Sequence, residues 1–278
     1  MGCANWSQET TAEPKSILPP PQMSPDSVMV EAVVVRFPKE QDGIFESIWS
    51  TVDESIFDIQ LRRKLADNGL RGGVLIGELP IAITNRLKEL SDQSQTGALE
   101  LAGLAADVDS RANRFQCRAG RKREVSVRRE LQGPLVVVSS KEGHMEGATY
   151  EQPIMLFDLR VFPHGSGQAT LQMIPEIQHG ETRKSFVSSD FGVRPEMARE
   201  RKSWEQLTLS TKLNEGQVLV LCSDGMPVAP NLGKAFFVTH TAEQTEERAM
   251  LLVRLANTQL DELFAPEKIE AANAIAER

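Results

Sequence analysis

An α+β fold is what this sequence predicts: a small α/β N-terminal domain followed by a mainly antiparallel β domain. Three observations carry that expectation. Val28 to Phe37 (VMVEAVVVRF) is β-branched and nearly continuous, the pattern of a strand covered on both faces. Apolar residues then recur at helical spacing up to about residue 92. From Arg114 the period shortens to two and is repeated in segments bounded by turn residues.

In chain order, residues 1–27 read as a disordered Pro-rich tether. Pro14, Pro19, Pro20, Pro21 and Pro25 lie among polar residues that cannot bury enough surface to offset their ordering entropy. Residues 28–92 form the small α/β domain. After the first strand, Ile44, Ile48 and Val52 recur at helical spacing with Phe45 and Trp49 alongside. Asp53 is placed to cap a second helix, with Ile56, Ile59, Leu61 and Leu65 near its core face. Asn68-Gly69 stops that helix, Val74 to Ile76 is a short strand, and Pro80 opens a third helix through Ile83, Leu87 and Leu90. Residues 93–113 read as a connector.

The β domain spans 114–256. Strands are expected at Phe115 to Arg118, Glu124 to Arg129 and Leu135 to Ser139. A central hairpin follows. Met155, Phe157, Leu159 and Val161 share one face of its first arm, and Ala169, Leu171 and Met173 share one face of its second. Glu181 to Ser203 is charged and weakly periodic and reads as a long loop. Leu207 to Leu213 and Gln217 to Cys222 read as strands joined by an Asn214-Glu215-Gly216 hairpin turn, with further strands at Ala235 to Thr239 and Met250 to Ala256. Residues 257–278 are a C-terminal tail of helical composition.

A length of 278 residues holds one large domain or two smaller ones, and a formal net charge of −8 argues against a nucleic-acid partner. The longest apolar runs, such as Val218 to Cys222, fall far short of the roughly 20 residues of a membrane helix. Cys117 and Cys222 read as buried thiols rather than a disulfide framework. Cys3 stands apart. Gly2-Cys3 followed by a polar tether resembles the end of a bacterial lipoprotein signal, in which the cysteine carries the lipid; an ordinary cytosolic N-terminus is the other reading.

Arg118, Arg121, Lys122, Arg123, Arg128 and Arg129 gather around Val125 and Val127. A groove for single-stranded nucleic acid interleaves aromatic residues with such cations, and this stretch has none. It reads either as a solvated strand face or as a contact with lipid headgroups or an acidic partner. No catalytic residue, metal ligand set or cofactor is expected. The four histidines lack the i, i+4 helical spacing of a zinc protease. Gly165-Ser166-Gly167 lacks the spacing of a nucleophile elbow, Cys222-Ser223-Asp224 reads as a strand end, and Gly72, Gly73 and Gly77 do not form a phosphate loop. An enzyme would need His179, Asp190, Asp224 and His240 gathered by the fold.

Residues 114–256 also carry a family likeness. Arg118-Ala119-Gly120 opens a strand, Phe157 to Phe162 precedes Leu171-Gln172-Met173-Ile174-Pro175-Glu176-Ile177, and Gly216-Gln217 starts Val218 to Leu221. Pro230-Asn231-Leu232-Gly233 leads to Phe236-Phe237, and Glu246-Glu247 precedes Leu251 to Arg254. This order resembles the C-terminal homology region of bacterial secretins, the ring-forming outer-membrane channels, and the whole chain looks like an envelope lipoprotein. Cys222-Ser223 stands where that family has a double glycine, and membrane-spanning hairpins are not evident. The resemblance therefore implies a non-enzymatic, lipid-anchored envelope component without its own pore. Its partners would be a protein, or further copies paired through β-strand edges, and a membrane reached through the lipid. A soluble cytosolic scaffold or binding protein is the alternative.

Overall fold

The structure, a computed structural model, describes residues 26–75, 77–97, 113–129, 133–164, 167–189, 192–225, 229–240 and 245–259. The lipidation candidate Cys3, nearly all of the tether, residues 98–112 of the connector and the tail beyond residue 259 lie outside the described residues. The elements are β1 (Ser27–Pro38), α1 (Asp42–Trp49), β2 (Val52–Asp53), α2 (Ile59–Asp67), β3 (Leu70–Leu75), α3 (Ile81–Gly97), β4 (Asn113–Arg118), β5 (Arg123–Arg129), β6 (Pro134–Lys141), β7 (His144–Glu151), β8 (Ile154–His164), β9 (Gln168–Ser189), β10 (Gly192–Ser203), β11 (Leu209–Asn214), β12 (Val218–Ser223), α4 (Leu232–Phe237), β13 (Val238–His240) and β14 (Glu246–Gln259).

The α+β class holds, with antiparallel sheet predominating. A first sheet runs β2-β3-β12-β14-β1-β4, with β13 also on β14. A second runs β10-β9-β8-β5, with β11 also on β9. β6 and β7 form a separate hairpin.

The first sheet is covered on both faces, which is why its strands read as unbroken apolar runs. Val28, Val30, Ala32 and Val34 of β1 face a large core shared with the second sheet, while Val35 and Phe37 face a smaller core under α1 and α3. β14 divides the same way, with Ala249, Leu251, Val253 and Leu255 on one side and Met250 and Leu252 on the other. Cys117 belongs to the first core and Cys222 to the second, and both are free buried thiols. The central hairpin has the expected faces: Met155, Phe157, Leu159, Val161, Ala169, Leu171 and Met173 are all buried in the large core.

Residues 28–92 do not form a sheet of their own. β1 pairs along its length with β14, and β3 pairs with β12, so the expected boundary near residue 92 cuts through one continuous sheet. The apolar pattern of β1 requires cover on both faces, and only the C-terminal strands complete the sheet that provides it.

Four local expectations are corrected. Asp58, not Asp53, caps α2, its carboxylate accepting from the N–H groups of Gln60 and Leu61 at 2.8 and 2.9 Å. That later start turns the helix, leaving Ile56 and Ile59 exposed and Leu65 buried. The turn Asn214-Glu215-Gly216 does not close a hairpin: β11 pairs with β9 and β12 with β3 and β14, so the chain switches sheets there. Ala235 to Thr239 is not one strand. Asn231 accepts from the Lys234 N–H at 2.9 Å and caps α4, and β13 begins only at Val238. A helical turn lets consecutive Phe236 and Phe237 both face the core, which a strand's alternation forbids. α4 also sits hard against the end of α2, where a Cβ on Gly233 would lie 1.7 Å from the Gly69 carbonyl oxygen. Finally, Glu181 to Ser203 is no loop; β9 continues to Ser189 and β10 returns along it.

Candidate functional site

Alternation along β8 and β9 sends Asp158, Arg160 and Glu176 to the outer face of the second sheet, away from the large core. Glu176 is 2 % exposed. It accepts from Lys122 Nζ at 2.8 Å, from the Ser203 hydroxyl at 3.0 Å and from Arg201 Nη1 at 3.1 Å. Arg201 also donates to Glu124 at 2.7 Å. Asp158 is buried as well, with Arg160 at 3.1 Å and Lys122 at 3.6 Å on its Oδ2 and no hydrogen-bond partner on Oδ1. Burial pushes the Glu176 carboxyl upward, but the hydrogen bond and charge of Lys122, helped by Ser203 and Arg201, outweigh it and hold the group below the ordinary value. Glu176 is therefore a fixed carboxylate. It locks the base of β10 to β9 and has no spare proton for acid–base chemistry.

The basic stretch foreseen in the sequence is dispersed. Arg128 is buried and donates to the carbonyl oxygens of Ala235 and Val238 at 3.0 and 2.6 Å. A β-bulge between Ser126 and Arg128 causes this, placing Arg128 opposite Met155 on the core side. Lys122 is engaged with Glu176 and Asp158, and the Arg123 guanidinium lies 5.1 Å from the Phe115 ring centroid. Arg118, Arg121 and Arg129 remain exposed. Arg129 still faces a neighbouring cation: burial first, and then the charge of Arg129, lower the pKa of Arg199 on β10. A surface for anionic headgroups or an acidic partner would thus rest on those three arginines rather than on six cations.

The catalytic candidates fare no better. His179 packs its ring on Tyr150 with centroids 4.9 Å apart, whereas His240 lies on the other sheet, 3.6 Å from Glu246. Asp190 lies outside the described residues. No group of three or more His, Cys, Asp or Glu placed to hold a metal occurs among the described residues. Burial pushes the Cys222 thiol far up, which disables it as a nucleophile. Ser223 is occupied by Arg248, an almost fully buried arginine that donates to the Ser223 carbonyl at 2.8 Å and lies 3.6 Å above the Phe45 ring. Gly73 serves packing: a Cβ there would meet Val52 at 2.5 Å.

Among the described residues, the far half of β9 has a single pairing partner. β8 accompanies β9 only as far as the Ile154–Gln178 pair. Beyond it, among the described residues, His179 to Ser189 pairs with Gly192 to Glu200 alone. Glu181, Thr182 and Arg183 are exposed on one strand, and Glu200 and the apolar Met197, at 61 %, on the other. The root of this segment is firmly held: Arg199 donates to the carbonyl oxygens of Gly180, at 2.7 Å, and of Gln152. The result is a two-stranded ribbon anchored by the charged network at Glu176.

No known protein family matches this chain, and no curated protein does.

Proposed function

We propose that the protein is a non-enzymatic binding and assembly component of the cell envelope that joins further copies of itself through the β9–β10 ribbon. The carrying observation is the unaccompanied half of β9. A two-stranded ribbon is marginal in water, and added strands or a packed surface are what stabilise such an element. Its outer backbone groups provide a template for strand addition. The likeness of residues 114–256 to secretins, which build rings, supports self-association over capture of an unrelated partner. Cys3 and the Pro-rich segment behind it support a lipid-anchored position at a membrane.

The test is sedimentation of the full chain across a range of concentrations. Alongside it runs a variant in which residues 184–197 are replaced by Asn-Gly, closing the ribbon at the Arg183–Ala198 pair with a two-residue turn. The reading expects concentration-dependent oligomers for the wild type and a monomer of unchanged melting temperature for the variant. A wild type that stays monomeric, or a variant that assembles equally well, overturns it. Expression from the native locus tests the compartment. Acylated Cys3 in the membrane fraction supports the envelope, and an unmodified soluble chain favours the cytosolic scaffold.

A further inference from the structure

A cavity of about 310 Å³ lies beneath α2, lined by Glu54, Arg62, Leu65, Leu70, Arg71 and Asp224 among others. Its size is at the lower end of small-molecule sites, which start at roughly 300 Å³. Two of its charges are already spent on each other. Arg71 meets Glu54 through Nε and Nη2 at 2.7 and 2.5 Å and lies 4.6 Å over the Trp49 ring. Two charges are not spent in this way. The Nε of Arg62 is buried without a hydrogen-bond partner, an expensive state for a charged donor. Its charge reaches Asp53 only as the last of the causes acting on that carboxyl. Asp224 stands at the exposed rim. Its backbone N–H donates to the Gly69 carbonyl at 2.8 Å, yet among the described residues its carboxylate has no hydrogen bond or ion pair. Leu65 and Leu70, both buried, supply apolar wall beside them.

One half-buried cation lining a small cavity and one anion at its rim, neither in a side-chain hydrogen bond or ion pair among the described residues, select a ligand with both charges. A simple anion would satisfy Arg62 and be repelled by Asp224, and an amine would meet the converse. We propose that this cavity binds a free α-amino acid with a small aliphatic side chain. The α-carboxylate pairs with the Arg62 guanidinium, which matches its planar geometry. The α-ammonium pairs with Asp224, and the side chain lies against Leu65 and Leu70.

The experiment is a calorimetric titration of the full chain with L-alanine and L-valine, using propionate and isobutylamine as single-charge controls. Saturable binding of the amino acids is expected, with the controls weaker by about tenfold or more, the worth of one lost ion-pair contact. Arg62→Gln and Asp224→Asn should each weaken binding to the same extent while keeping the wild-type melting temperature within a few degrees. Propionate binding as tightly as alanine would overturn the assignment, as would binding indifferent to both substitutions. So would a wild type that binds neither amino acid, in which case a stability coupling between the two substitutions would assign Arg62 and Asp224 to each other. The control titrations use wild-type protein, so the proposal stays decidable even where a variant fails to fold.

Discussion

The two halves of β9 form one strand with opposite surroundings. From Gln168 to Gln178 it lies between β8 on one edge and β11 and β10 on the other, with Ala169, Leu171, Met173 and Ile177 wholly buried. From His179 to Ser189 its backbone pairs, among the described residues, with β10 alone. The first half is held by apolar burial, worth roughly 1.5–3 kcal/mol for each large side chain. In the second, the described contacts are the β10 ladder, whose hydrogen bonds are worth about 1 kcal/mol net each, and the anchors of His179 on Tyr150 and of Arg199 on Gly180 at its root. Stability is thus distributed unevenly along a single element, and the weakly held half is the one available to a partner.

The largest expected effect breaks the covered half. Leu171→Asp places an unpartnered charge in the large core and should cost more than about 4 kcal/mol, enough to unfold the domain, whereas Arg183→Asp in the open half should stay within about 0.5 kcal/mol. Thermal melts of the two variants decide this, and a folded Leu171→Asp protein would refute the register of the central hairpin. Next comes Arg128→Met, which strips a charged donor from the Ala235 and Val238 carbonyls and should destabilise by about 1.5–3 kcal/mol in urea titration.

Glu176→Gln probes the joint between the halves. It keeps the shape and removes the charge that holds Lys122 and Arg201, a loss of about 1–2 kcal/mol at neutral pH. The sign of its pH dependence follows from the lowered carboxyl pKa. The contribution of ionised Glu176 is fully present above the unfolded value, about 4.3, and is lost as pH falls through the lower folded value. The gap between wild type and variant should therefore close only below about pH 4. A gap that closes nearer neutrality would contradict it. A local effect belongs to Gly180→Ala. Gly180 has φ of +71° with nothing within 4 Å of an added Cβ, so only backbone strain of about 1 kcal/mol is added. It should raise amide exchange across the ribbon and leave the global melt unmoved.

What the sequence disclosed follows the same division. β1 and β14 were legible because cover on both faces leaves an apolar run, and the central hairpin because one buried face imposes a period of two. The ribbon was not, since its charged sequence carries no apolar period to mark it as strand. Arg128 was illegible for a different reason. Strict alternation from Val125 and Val127 sends it outward, and only the bulge after Ser126, invisible in composition, turns it in. The pairing of β1 with β14 was hidden by the long stretch of chain between them. Arg62 and Asp224 gave no signal either, being ordinary charged residues that only the packing of α2 over β3 and the pairing of β12 with β3 bring to one cavity.

The central claim is that the open half of β9 is completed by another copy. Hydrogen exchange of the full chain, measured at low and at high protein concentration, tests it most directly. The account predicts that amides of residues 181–200 become protected as concentration rises, while those of residues 169–177 are equally protected throughout. Ribbon exchange that is independent of concentration would contradict it.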